Sequence, residues 1–205
     1  MKSNRLEAFS DGVLAIIITI MVLELRTPES HTLRGLWDET GLGLLTYLLS
    51  FVYVGIYWSN HHHLFQVTRH VDGTVLWANL HLLFWLSLYP LTTRWMDESD
   101  LALVPTVVYG VNLLLSAVAY SLLVLAIRRL PTSAHFGEVF GADYKGKASL
   151  ALYALGIGLC FVQTWLGVIP FVVVALMWLI PDRRVERWLQ DRDEMPRPGS
   201  DGSAV

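Results

Sequence analysis

Arg5-Leu6-Glu7-Ala8-Phe9-Ser10-Asp11-Gly12-Val13-Leu14-Ala15-Ile16-Ile17-Ile18-Thr19-Ile20-Met21-Val22-Leu23 decides how the whole chain reads. Its unbroken apolar part, Gly12 to Leu23, is too short to cross a hydrocarbon layer about 30 Å thick, which needs about 20 helical residues. The segment spans only if the preceding turn, with Ser10 and Asp11, also lies at membrane depth. An ionisable side chain there must face the interior of a bundle or a wet path, and such residues are functional candidates by default. A helix N-cap is the competing reading, because Ser and Asp accept backbone N–H groups at that position.

The rest of the chain agrees with a membrane setting. Of 205 residues, 54% are hydrophobic and 16% charged, against about a quarter charged in soluble domains. Mean hydropathy is +0.46. Lys2 and Arg5 ahead of an apolar run resemble the start of a secretory signal. Glu7 and Asp11 interrupt that pattern, and Leu25-Arg26-Thr27 offers no small-residue cleavage site, so the segment reads as a retained helix. A net charge of -3 without a basic face argues against nucleic acid as a partner. The single cysteine, Cys160, excludes an intrachain disulfide or a cysteine zinc site.

Hydropathy predicts an all-α integral membrane protein with six transmembrane helices, approximately Leu6 to Leu25, Leu44 to Gln66, Val75 to Trp95, Leu101 to Ile127, Ala148 to Gln163 and Trp165 to Ile180. The last two form a tight pair, and Pro170 is expected to bend the sixth. Residues 1–182 are the membrane domain, and residues 183–205 form a basic, then Pro/Gly/Ser-rich, disordered cytoplasmic tail. Six spans put both termini on one side. With the termini cytoplasmic, Lys2, Arg5, Arg69, Arg128, Arg129, Lys145, Lys147, Arg183, Arg184, Arg187, Arg192 and Arg197 lie inside, against Arg26, Arg34 and Arg94 outside. Glu29, Asp38, Glu39, Asp97, Glu98 and Asp100 fall outside and would give the outer mouth a mildly negative field.

At 100° per residue, Phe9, Val13, Ile16, Ile20 and Leu23 share one stripe of the first helix, with Gly12 and Thr19 at its edge and Asp11 on the far side. Such a stripe packs against the chain's own helices or lines an axis shared by several copies, where rings of Ile16, Ile20 and Leu23 would form a constriction that gates by dewetting. Geometry alone leaves both open. A polar group set collects near the cytoplasmic end: Ser10 and Asp11, Trp58 and His61 on the second helix, and Asn79 on the third. The expectation is that Ser10 and Asp11 bond with His61, Asn79 or Arg5. Trp58, His61 and Phe65 share a helix face, while His62 and His63 point elsewhere. Consecutive histidines diverge by about 100° and cannot hold one metal together, and no hydrolase elbow or phosphate loop occurs, so the chain is not read as an enzyme.

The residues Arg5-x-x-x-Phe9-Ser10-Asp11 with the apolar run after them resemble the opening signature of the transmembrane protein 175 potassium channels. Trp58-x-x-His61-x-x-x-Phe65 and Asn79-Leu80, eleven residues before Pro90, extend the likeness. It covers helices one to three by motif, and four to six by hydropathy and length. What the resemblance implies is a homotetramer of single six-helix units in a bacterial inner membrane, passing monovalent cations with a preference for K⁺ and needing no cofactor. Carried over by position, Ile16 is the constriction nearest the motif, Ile20 and Leu23 are further apolar rings, and Thr19 is the hydroxyl layer of selectivity. Beyond surrounding lipids and its own copies, no partner is implied. The alternatives are a secondary transporter or proton pathway using Asp11 and His61, and a membrane scaffold.

Overall fold

The structure is a computed structural model that describes residues 3–66, 68, 70–130 and 144–179. The basic and Pro/Gly-rich tail at 183–205 and several of the inside-loop cations, Arg69 among them, lie outside the described residues. Among the described residues, seven helices follow one another: α1 (Ser3–Leu23), α2 (Leu33–Gln66), α3 (Gly73–Ser87), α4 (Tyr89–Glu98), α5 (Leu103–Arg128), α6 (Tyr144–Cys160) and α7 (Thr164–Leu179). Of the described stretches, four are long and apolar enough to cross a bilayer: α1, α2, α5 and the 26 residues from Gly73 to Glu98; α7, at 16 residues, is a shorter apolar helix.

Two boundaries differ from the hydropathy reading. The second helix begins at Leu33 rather than Leu44, because Thr32 caps it: the Gly35 N–H donates to Thr32 Oγ1 at 3.0 Å. Its first turns, with Asp38 and Glu39, extend the helix beyond the apolar core. The third span breaks at Leu88, whose N–H turns back to Trp85 O at 3.3 Å. Pro90 stands at the start of α4 and has no N–H to continue the ladder. Pro170 lies inside α7, which runs on through it.

Hydrocarbon surroundings supply no hydrophobic drive between helices, so close packing and interhelical hydrogen bonds must hold the bundle. Both are present. Tyr53, Tyr89 and Tyr109 are fully buried and meet edge-on, with ring centroids 6.4 Å apart in each neighbouring pair. Ser50 Oγ lies 2.7 Å from Thr93 Oγ1 and 3.0 Å from the Tyr109 hydroxyl, joining α2, α4 and α5. The Tyr53 hydroxyl donates to the Phe171 carbonyl of α7. Helix α1 packs on α2, α3 and α4, and the α6–α7 hairpin packs on α5 and α2. Thus α1 stands at one flank of the bundle.

In the hairpin, a Cβ on Gly156 would come 2.8 Å from Gly167 O, and one on Gly167 would come 2.7 Å from Gly156 O. The two backbones touch there. Gly158, two residues on, has open space around it. Gly156→Ala is therefore expected to destabilise by about 1–3 kcal/mol through overpacking, whereas Gly158→Ala gains up to about 1 kcal/mol of helix propensity. Thermal melting in detergent checks this, and equal shifts for the two variants would contradict it.

Candidate functional site

The buried side of α1 carries Ser3, Leu6, Ser10, Leu14, Ile17 and Met21, a 3–4 residue spacing that turns one face to α2 and α3. Ser10 is fully buried and the rest of the site grows from it. Its hydroxyl donates to Leu6 O at 2.9 Å, so its oxygen can only accept from elsewhere. The Asn79 amide fills that role, Nδ2 donating to Ser10 Oγ at 2.9 Å. Asn79 Oδ1 then faces His61 Nε2 at 2.8 Å, which makes Nε2–H the donor. One amide thereby ties three helices at a point where Ser10, His61 and Asn79 are all at most 1% exposed. His61 Nδ1 is buried without a hydrogen-bond partner among the described residues, and the ring packs on Phe65 at 4.5 Å.

Asp11 does not join this chain. It accepts from Trp58 Nε1 at 3.1 Å, and Arg5 is exposed, without a hydrogen-bond partner among the described residues. Trp58 is half exposed and stacks on His62, 6.2 Å away at 18°, rather than lying beside His61. Beside this pair sits one that the sequence reading missed. His62 Nδ1 is 2.7 Å from Glu7 Oε1, and Gln66 Nε2 is 2.8 Å from His62 Nε2. Glu7 and Asp11 are i,i+4 on α1, and Trp58 and His62 are i,i+4 on α2. Their pairing in opposite order is a two-rung ladder that fixes the antiparallel register of the two helices. The sequence held that signal in the matched spacings.

Among the described residues, the other side of α1 is left largely uncovered. Phe9 is 53% exposed, Ile16 58%, Ile20 41% and Leu23 82%, and Gly12 and Thr19 are exposed between them. Gly12 and Thr19 lie near the middle of this face, while Val13 turns in and packs on the core. The face is thus rotated from the stripe read off the wheel. Among the described residues, Ile16, Ile20 and Leu23 stand outside the subunit's buried core. The Thr19 hydroxyl donates to Ile16 O at 2.8 Å, so its oxygen presents lone pairs outward.

At the opposite end, Arg94 binds Glu24 and Glu98, the latter at 3.1 Å, and Arg26 reaches Glu98 at 3.3 Å. Asp38 is met by Arg34 at 3.6 Å. Both carboxylate oxygens of Glu39 accept backbone N–H groups from Glu29 and Ser30. Much of the acidity expected at this end is therefore engaged locally rather than projected as a field. The three histidines of α2 diverge, His61 to Asn79 and His62 to Glu7.

The amide clasp makes a testable claim. Asn79→Leu strips Ser10 Oγ of its donor and His61 Nε2 of its acceptor. It should cost about 2–6 kcal/mol, at ~1–3 kcal/mol for each buried group left unsatisfied. Ser10→Ala combined with Asn79→Leu should fall short of additivity by more than about 0.5 kcal/mol in thermal melts; additive losses would mean the residues act independently.

Comparison with known proteins places this geometry in a family. The profile described as "Endosomal/lysosomal potassium channel TMEM175" matches residues 5–90, the stretch that holds α1, α2, α3 and the clasp. A potassium channel of Chryseobacterium sp. (strain P1-3) is 48% identical over 192 residues, 93% of this chain and all of that one. The human endosomal/lysosomal proton channel TMEM175 is 27% identical over 93% of this chain and 40% of its own. The crystal structure of a lysosomal potassium-selective channel TMEM175 homolog from Chamaesiphon minutus superposes with a TM-score of 0.74 at 28% identity, covering 87% of this chain and 96% of that one. Such relatives are ion channels rather than enzymes, and with the apolar helices they mark a multi-pass membrane protein. The chain belongs to the TMEM175 family of potassium channels.

Proposed function

We propose that four copies of this chain form a potassium-preferring cation channel in a bacterial plasma membrane, with α1 of each lining the pore. The carrying observation is the continuous apolar face of α1, Phe9, Gly12, Ile16, Thr19, Ile20 and Leu23, left uncovered by the subunit while the opposite face is clasped. Four such faces around an axis would place Ile16, Ile20 and Leu23 as successive alkyl rings, narrow enough to dewet. The Thr19 oxygens would form the one ring of acceptors among them. We read six spans with both termini cytoplasmic; the excess of Lys and Arg on the side shared by Arg5, Arg128 and Lys145 supports that orientation. The potassium channel names of the bacterial relatives support the permeant ion.

The vertebrate relatives carry the name proton channel, which keeps in view a proton pathway or carrier through Asp11 and His61. Single-channel steps carried by K⁺ favour a pore; slow, saturable exchange favours a carrier. Placing an amide at the narrowest alkyl ring tests the assignment. Ile16→Asn should raise K⁺ flux into liposomes at least about tenfold, the effect of lowering a barrier by about 1.4 kcal/mol. Unchanged flux would move the constriction elsewhere. Thr19→Ala should conduct with a reduced preference for K⁺ over Na⁺, read as a shift in reversal potential; an unshifted potential would remove Thr19 from selectivity.

A further inference from the structure

A cleft away from α1 opens between α2, α5, α6 and α7, enclosing about 480 Å³ of space, part of it open to the surroundings. Ile56, Ala117 and the rings of Tyr57 and Tyr153 are among its walls, with Ser149 of α6 and Trp178 of α7. Some of its polar groups are already engaged: Tyr120 donates to Asn60 O at 3.3 Å, and Trp178 Nε1 to Ser149 Oγ at 2.9 Å. Water needs two to four polar partners to settle in such a space, and these walls offer few. An apolar chain fits them better.

Cations stand beside one end of the cleft, outside its lining. The Lys145 ammonium lies 5.7 Å from the centroid of the Trp178 ring. Lys147 is exposed two residues on, and Arg128 closes α5 at the same end of the bundle. No carboxylate lines the cleft among the described residues. Trp at an interface with Lys beside it marks the depth of lipid headgroups. A largely apolar slot at that depth, with Lys145 beside its Trp178 wall, is complementary to an amphiphile with an anionic head.

We infer that this cleft is a binding site for an anionic phospholipid, one acyl chain lying along Ile56, Ala117 and Tyr153 and the phosphate held at Lys145. The inference rests on the chain crossing a membrane but not on α1 lining a pore, and its test reads lipid rather than ion flux. Purified full-length protein in detergent is titrated with phosphatidylglycerol, phosphatidylcholine or oleate, and retained lipid is counted by native mass spectrometry. Wild type should retain phosphatidylglycerol about fivefold better than phosphatidylcholine. Lys145→Gln should bring the two together, and Ala117→Phe should lower retention of both. Ser121→Leu serves as a second filling variant should Ala117→Phe fail to fold, folding being read from unchanged melting and elution. Equal retention of the two lipids by wild type, or wild-type retention in well-folded Lys145→Gln and filling variants, would overturn the site. Oleate displacing phosphatidylglycerol at equal concentration would overturn the phospholipid assignment.

Discussion

A single carboxamide, that of Asn79, holds the arrangement on which the account depends. Ser10 has one hydrogen and gives it to its own helix, so its oxygen needs a donor, and Asn79 supplies it while accepting from His61. In a medium without water such groups find each other or remain unpaired. This fixes which side of α1 faces the subunit. Everything said about the opposite side follows from that rotation.

The ladder formed by Glu7 with His62 and Asp11 with Trp58 adds register to rotation. Together the two devices hold the N-terminal half of α1, while Arg94 and Glu24 anchor its other end. Between these ends the helix offers branched alkyl groups, a glycine and a hydroxyl to whatever lies outside. Only 28% of its apolar window is buried, against 39% to 44% for the three longer spans, so α1 depends most on surroundings the isolated subunit does not provide. The tyrosine-rich interior, by contrast, is buried within one chain and forms the body against which α1 leans.

Much of this was legible in the sequence, for identifiable reasons. Ser10, Asp11, His61 and Asn79 stood out because polar groups in apolar helices must be paired. Their actual partners were less accessible, since Asp11 could reach several donors and only coordinates show that it takes Trp58. Val13 misled the wheel because periodicity weighs apolar side chains alone. Gly12 and Thr19, near the middle of the uncovered face, contribute little to that weight. Glu7, His62 and Gln66 were passed over because charged residues near a helix end read as solvated, although their spacing matched. The early start of α2 was hidden by Gly35, Asp38 and Glu39, where a Thr32 cap outweighs local polarity. The break at Leu88 was hidden by continuous hydropathy across Pro90.

The central claim, that the uncovered edge of α1 looks onto water rather than lipid, is tested most directly by thiol accessibility. With Cys160→Ser as background, Leu23→Cys in proteoliposomes would be treated with a charged, membrane-impermeant methanethiosulfonate or with a lipid-soluble maleimide. The account predicts rapid modification by the charged reagent with loss of K⁺ current. Modification by the lipid-soluble reagent alone, with current unchanged, would contradict it.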